Sequence, residues 1–156
     1  MGFFNDPNRI PENYGLKTAA GLIVYFLAMQ VIDKHHHVEL RLLNLIILCV
    51  GIYYALKKFK NTHEHHMNYF RGLIVGVATS AIASVVFGAF LFVYMKINPS
   101  LLQSIQENEP MGHYLNEYIS AFIVALEGVF SGLLVTFVLM NYVDSDEVND
   151  PAGESN

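Results

Sequence analysis

An uncharged apolar stretch, residues 72–95, constrains the fold of this chain more than any other feature. Its sequence is GLIVGVATSAIASVVFGAFLFVYM. As a helix it would be about 36 Å long at about 1.5 Å rise per residue, whereas the hydrocarbon core of a bilayer is about 30 Å thick. The stretch therefore predicts a transmembrane helix.

Small residues recur at every fourth position of this stretch, which places them on one face of the predicted helix. This small-residue strip consists of Gly72, Gly76, Ser80, Ser84 and Gly88. The last apolar segment repeats the pattern with Ser120, Gly128, Gly132 and Thr136. In lipid, close backbone approach over small residues favours helix contact. We expect the strip to face other helices, chiefly the face that carries Gly128 and Gly132. A dimer interface is the alternative.

Composition agrees with a membrane protein and excludes some function classes. The chain has 156 residues, of which 53% are hydrophobic and 15% charged, whereas soluble domains carry about 25% charged residues. The net charge of -5 argues against a nucleic-acid partner, because phosphate binding needs a basic surface. A single cysteine, Cys49, allows no intrachain disulfide.

Apolar periodicity predicts an all-α fold, an integral membrane four-helix bundle with a short interfacial helix between spans three and four. The predicted spans are residues 15–32, 40–56, 70–95 and 115–142, and the interfacial helix is 99–107. Residues 1–14 form a polar N-terminal segment, 15–143 the transmembrane domain, and 144–156 an acidic tail of disordered composition.

The basic residues predict the orientation of these spans. One side of a four-span bundle would hold Arg9, Lys17, Lys57, Lys58, Lys60 and Arg71. The other side would hold only Lys34, Arg41 and Lys96. Cytoplasmic loops carry the excess of lysine and arginine, so both termini are predicted to be cytoplasmic.

The arrangement resembles a known family. The residues that carry the resemblance are a basic loop before the Gly-rich third span RGLIVGVATSAIASVVFGAF, an Ile97-Asn98-Pro99 just after it, and spaced glycines in the fourth span. Together they look like domain of unknown function 4199, a family of small membrane proteins found mainly in Bacteroidota. The resemblance implies a bacterial inner-membrane protein of about four spans, and it supplies no functional residues.

Glu127 is the sharpest candidate for chemistry, because it is the only charged residue between positions 118 and 143. A charge in mid-span costs roughly 2.5 to 3.5 kcal/mol, so such a residue usually faces the bundle interior or a water-filled cavity. Depth counting places it near the level of Ser84, with Ser80 one turn deeper. We expect Glu127 to point into the bundle and to be hydrogen-bonded by one of these hydroxyls. A proton or ion path is the alternative.

Histidines form two loop clusters, His35, His36 and His37 in the first loop and His63, His65 and His66 in the second. The predicted topology puts them on opposite sides of the membrane, so they cannot share a metal. Each cluster alone could bind a metal weakly, sense pH or be a polar loop segment. We predict no metal site and no cofactor.

The sequence shows no phosphate loop, nucleophile elbow, paired carboxylates or metalloprotease helix. We therefore expect no enzymatic activity and no catalytic residue. Two function classes remain. The first is a structural or accessory membrane protein that contacts lipid and a protein partner or second copy through its helices or tails. The second is a small proton- or cation-coupled transporter or channel component that uses Glu127.

Overall fold

Five α-helices make up the described part of the chain. A computed structural model describes residues 9–32, 37–62, 69–108 and 111–148, and it describes the backbone only for 32, 37–42, 108 and 143–148. The helices are α1 (Ile10–Ile32), α2 (His37–Thr62), α3 (Tyr69–Ile97), α4 (Pro99–Asn108) and α5 (Glu117–Val148). A 3₁₀ turn, Gly112–Tyr114, precedes α5. The predicted all-α class is confirmed.

The helix ends differ from the predicted ones where polar residues extend a helix beyond its apolar part. α1 begins at Ile10 rather than at 15, with Pro11 in its first turn, where no intrahelical N–H is required. α5 begins after Asn116, whose side-chain oxygen accepts a hydrogen bond from the Ile119 N–H at 2.8 Å, as a helix cap does. α5 continues to Val148, past the predicted end at 142.

α3 is the central helix of the bundle, because it packs against α1, α2 and α5. α1 and α5 make little contact with each other. Gly15 of α1 lies against Ile82, and Phe26 packs edge-on against Phe90 with ring centroids 5.9 Å apart. Because both contact positions advance together along the chain, α1 runs parallel to α3.

α2 runs antiparallel to α1. Gly51 of α2 lies against Thr18 of α1, and Gly21 of α1 lies near Ile47 of α2. One contact position rises in number as the other falls, which is the mark of antiparallel neighbours. α2 also packs against α3 and α5, so it closes one side of the bundle.

The interior has two apolar clusters, one at each end of the bundle. The first consists of Ile10, Leu48, Ile52, Ala55, Leu56, Val75, Ala83 and Met140. The second consists of Leu22, Phe87, Leu91, Met95 and Ala121. α4 packs its apolar side on the second cluster through Leu101, Leu102 and Ile105, while Gln103 and Glu107 are exposed. α4 is thus an amphipathic helix that caps the end of the bundle.

Three described helices are long and apolar enough to cross a membrane, Ile10–Val31, Tyr69–Ile97 and Glu117–Tyr142. α2 is not among them, and its last two turns carry Lys57, Lys58 and Lys60. Large apolar side chains on α5 face outward, among them Phe122 and Leu134, each 66% exposed. Such a surface suits lipid rather than water.

Candidate functional site

The small-residue strip of α3 is buried along its whole length, and from Gly76 to Gly88 it lies against α5. Gly76 lies against Thr136, Ser80 against Gly132, and Ser84 against Gly128. We call this contact the α3–α5 seam. At Gly128 and Gly132 an added methyl group would overlap the serine of α3, so the two backbones approach more closely than larger residues would allow.

The far end of the seam is formed by Gly88 and two alanines. A methyl group added at Gly88 would lie 3.0 Å from the Ala125 Cβ and 3.1 Å from the Ala121 carbonyl oxygen. The contact positions fall along α5 as they rise along α3, so the two helices are antiparallel. The strip and the glycines of α5 therefore serve one helix contact within the chain.

Beside the seam the bundle contains a cavity of about 520 Å³. It lies in the half of the bundle that α4 covers, with walls from α1, α2, α3 and α5. Much of the wall is apolar, including the buried side chains of Leu22, Leu48, Phe87, Leu91 and Met95. This size lies within the range of about 300 to 1,000 Å³ that small-molecule pockets occupy.

The exposed residues of the wall mark where the cavity opens. They are Leu45 on α2, Met111 before the 3₁₀ turn, and Ile123 and Glu127 on α5. The wall residues from α1 and α3 are buried or half-buried. The described part of the chain therefore leaves the cavity open on the side between α2 and α5.

Three wall residues carry a buried side-chain oxygen that has no hydrogen-bond partner in the described structure. They are Tyr25 on α1, Asn44 on α2 and Ser120 on α5. A buried polar group left without a partner costs about 1 to 3 kcal/mol. Because most buried polar atoms in native proteins have a partner, three such oxygens on residues of one cavity wall set this part of the bundle apart.

Hydroxyl groups elsewhere in the bundle bond within their own helix. The Thr79 hydroxyl donates to the Val75 carbonyl at 2.7 Å, and the Thr136 hydroxyl donates to the Gly132 carbonyl at 2.6 Å. The Thr18 hydroxyl donates in the same way to Tyr14 at 2.8 Å. This bonding satisfies a hydroxyl in an apolar interior without a second helix. The buried Ser120 hydroxyl makes no such bond in the described structure.

Glu127 lies elsewhere than the sequence predicts. Its side chain is exposed on the open side of the cavity instead of packed in the bundle, and no hydrogen bond joins it to Ser84 or Ser80 in the described residues. The reason is geometric. Gly128 occupies the seam against Ser84, and the neighbouring residue points about 100° further round the helix.

The three residues that the sequence predicts as a polar site lie in two different places. Ser84 and Glu127 both line the cavity, together with Ser131. Ser80 is fully buried in the seam against Gly132, and its hydroxyl donates to the Val77 carbonyl at 2.9 Å. Ser80 is a packing residue with no access to the cavity.

α4 and the turn after it form the floor of the cavity. Leu101 and Ile105 contribute to the wall. The Gln106 side-chain amide donates to the Leu115 carbonyl at 2.7 Å, and Gly112 packs against the Gln106 backbone so closely that a side chain would not fit there. These contacts fix α4 to the chain that leads into α5.

Lys96 marks the end of the bundle near this floor. Its ammonium group lies 5.6 Å from the centre of the Phe92 ring and 5.3 Å from that of Tyr118, within the range of cation–π contacts. Lysine beside aromatic rings is typical of the membrane–water interface. Glu127 lies nine residues beyond Tyr118, which is about 13 Å along a helix.

The predicted histidine clusters lie outside the described residues, apart from the backbone of His37. Across the described ranges no group of three histidine, cysteine or acidic residues could hold a metal ion.

Cys49 is half-buried on α2.

A comparison with protein families assigns the chain. The family model described as "Protein of unknown function (DUF4199)" matches residues 13–140, which is most of the chain and all of the cavity wall. The chain belongs to this family. The family resemblance seen in the sequence is therefore confirmed. The description of the family assigns no activity and no site residue. No curated protein and no solved structure matches the chain.

Sequence reasoning found Glu127 and Ser84, assigned Ser120 to a packing face only, and missed Tyr25. Asn44 stands out in the sequence as a strongly polar residue within an apolar run. The signal that could have found the others is the same, a polar side chain inside a predicted span. The sequence does not predict that three of these side chains, from three different helices, line the same cavity.

Proposed function

We propose that this protein is a four-span protein of the bacterial inner membrane that acts without enzymatic activity, as an accessory protein that holds a membrane-dissolved small molecule. The cavity between α2 and α5 is the observation that carries the proposal. Its apolar wall suits a molecule that partitions into lipid, and its few polar atoms suit a polar group on that molecule. Its open side allows entry from the bilayer.

The packing of α2 supports four spans. α2 has 26 residues, which corresponds to about 39 Å of helix, and it runs antiparallel along α1. α1 and α3 are both candidate spans, so a helix packed alongside them occupies the same layer. Lys57 lies 6.0 Å from the centre of the Tyr53 ring, a pairing that suits the interface at which α2 would leave the membrane.

The distribution of basic residues supports the proposed orientation. Lys57, Lys58, Lys60 and Arg71 belong to the end of the bundle where α2 ends and α3 begins, and Lys96 belongs to the other end. The end with more basic residues is the cytoplasmic one by the positive-inside rule. The cavity would then lie in the outer half of the bilayer, with α4 on the outer surface.

A search for a copurified molecule tests the accessory function. The protein is purified in a mild non-ionic detergent, and its organic extract is compared by mass spectrometry with that of a Val124→Phe variant. Val124 lines the cavity, so the larger ring should exclude the molecule. The matched control is Val138→Phe, on the same helix but 66% exposed. A compound enriched in wild type and Val138→Phe, and lost from Val124→Phe, is the expected result. Identical extracts from all three would contradict the proposal.

A second candidate function, a proton- or cation-coupled transporter, is favoured by the position of Glu127 on the open side of the cavity. There a carboxyl group can exchange a proton or cation without breaking helix packing. Proteoliposomes containing wild type, Glu127→Gln or Glu117→Gln test it. Coupled flux that is lost only in Glu127→Gln would favour transport, and no flux in wild type would exclude it.

A further inference from the structure

We propose that the ligand of the cavity is a lipophilic organic cation, a positively charged group on an apolar body. This inference rests on the proposed binding function and adds the charge class of the ligand to it. Three observations carry it, which are the charge of the wall, the aromatic rings in it and the size of the space.

The described part of the wall offers an acidic group with no cationic side chain beside it. Glu127 is the one carboxyl group among the described wall residues, and these include no lysine, arginine or histidine. The Lys96 ammonium group lies over the Phe92 and Tyr118 rings, neither of which lines the cavity. The side chains of Lys34 and Arg41 lie outside the described residues. In its ionised form this carboxyl group would attract a positive ligand and repel an anion.

Three polar side chains of the wall are less selective for charge. The Asn44 side-chain oxygen can only accept hydrogen bonds, and it is buried without a donor. The Tyr25 and Ser120 hydroxyl oxygens are also without a partner. A hydroxyl group can accept a hydrogen bond from a cation or donate one to an anion, so the preference for a cation rests on Glu127 and on the aromatic rings.

Aromatic rings on the α1 and α3 sides of the wall provide further contacts for a cation. Phe26 and Phe87 both line the cavity, with ring centroids 6.3 Å apart and planes at 75°. The faces of aromatic rings attract organic cations, most strongly away from water. A carboxylate on one side and rings on the other thus match a cation with an apolar surface.

The size and lining of the cavity exclude a bare metal ion as the occupant. A volume of about 520 Å³ is far more than one ion fills, and a hard cation needs about six or more oxygen ligands at short distance. The apolar part of the wall supplies none. An organic cation brings its own apolar surface, which fills the space and contacts the leucine and phenylalanine side chains.

A pair of probes with the same shape and opposite charge tests the inference. Binding of tetraphenylphosphonium and of tetraphenylborate to the protein in zwitterionic lipid nanodiscs is measured by equilibrium dialysis. Binding to empty nanodiscs is subtracted. We expect the cation to bind wild type at least about tenfold more tightly than the anion, and to bind Glu127→Gln at least about tenfold more weakly than wild type. Glu117→Gln and Val138→Phe should bind it as wild type does, and Val124→Phe should not bind it.

The outcomes separate this inference from the function on which it rests. Equal binding of cation and anion, or cation binding that Glu127→Gln leaves unchanged, overturns the charge class while the cavity remains a binding site. Binding of neither probe also overturns it, and the mass spectrometry of copurified molecules then decides the proposed function independently. Melting curves confirm the fold of each variant. Glu127→Gln should melt like wild type, because Glu127 has no described partner to lose.

Discussion

At the scale of single residues, three side chains of the cavity wall have a buried oxygen atom without a partner in the described chain. Ser120 is the simplest case. Its hydroxyl oxygen is buried and unpartnered, whereas the hydroxyl of Thr136 on the same helix is hydrogen-bonded. The two residues form a natural comparison, because Ser120→Ala removes the hydroxyl group and Thr136→Val replaces it with a methyl group.

We predict that Ser120→Ala leaves the stability of ligand-free protein unchanged or raises it by up to about 1 kcal/mol, since a desolvated group without a partner is removed. Thr136→Val should instead lower stability by about 0.5 to 1.5 kcal/mol through its lost hydrogen bond. Thermal melting in detergent measures both. If Ser120→Ala destabilises the protein as much as Thr136→Val does, then the Ser120 hydroxyl has a partner and the account of the wall is wrong.

Glu127 shows what residue patterns predict and what they do not. Its isolation in an apolar span identifies it as unusual without any structure. Matching its depth to Ser84 places the two at one cavity, but depth alone says nothing about direction around the helix. Since the next residue, Gly128, faces α3, Glu127 must point to the side. The helical periodicity of α5 predicts this direction. The hydrogen bond to α3 that we expected from depth alone does not take it into account.

At the scale of the helices, the α3–α5 seam is the most extensive helix contact in the described structure. The four-residue spacing of small side chains in α3 predicts a packing face, and the matching glycines of α5 suggest which helix it meets. The sequence predicts the existence of all five helices but not their ends. α1 starts earlier than predicted, because Pro11 is tolerated in its first turn. Capping by Asn116 sets the start of α5, and at its other end α5 extends into polar sequence up to Val148.

We predict that Gly132→Ala lowers stability by about 1 to 3 kcal/mol, because the new methyl group would overlap the Ser80 side chain and overpacking costs about that much. Gly21→Ala is the matched control. Its methyl group would lie 3.5 Å from the Ile47 Cγ2, an ordinary contact, so its melting temperature should be unchanged or higher.

Adding Ser80→Gly to Gly132→Ala should recover part of the loss, since it removes the side chain that the methyl group overlaps. Equal melting of Gly132→Ala and Gly21→Ala, or no recovery in the double variant, would mean that the two backbones are not in close contact at this position.

At the scale of the whole molecule, the cavity results from how the helices are arranged. α2 contacts α5 near Leu48 and Gly132, and the cavity lies between the same two helices toward α4. No pattern within a single helix predicts this cavity. It depends on the relative positions of four helices and on α4, which covers their end. Sequence therefore predicts the helices and one of their contacts, and the structure adds the space between them.

The central claim is that α2 completes a four-span bundle, because only then does the cavity lie at membrane depth between α2 and α5. α2 is also the helix whose composition alone does not identify it as a span. If α1 and α2 both cross, their free ends are on the same side of the membrane. If α2 does not cross, these ends are on opposite sides.

Labelling of single cysteines with a membrane-impermeant maleimide, in a Cys49→Ala background, measures this most directly. The positions are Glu12 at the start of α1, Asn61 at the end of α2 and Glu107 on α4, all of them exposed. We predict that cysteines at 12 and 61 react only after the cells are permeabilised, and that a cysteine at 107 reacts in intact cells. Reaction at 12 and 61 from opposite sides of the membrane would contradict the four-span bundle.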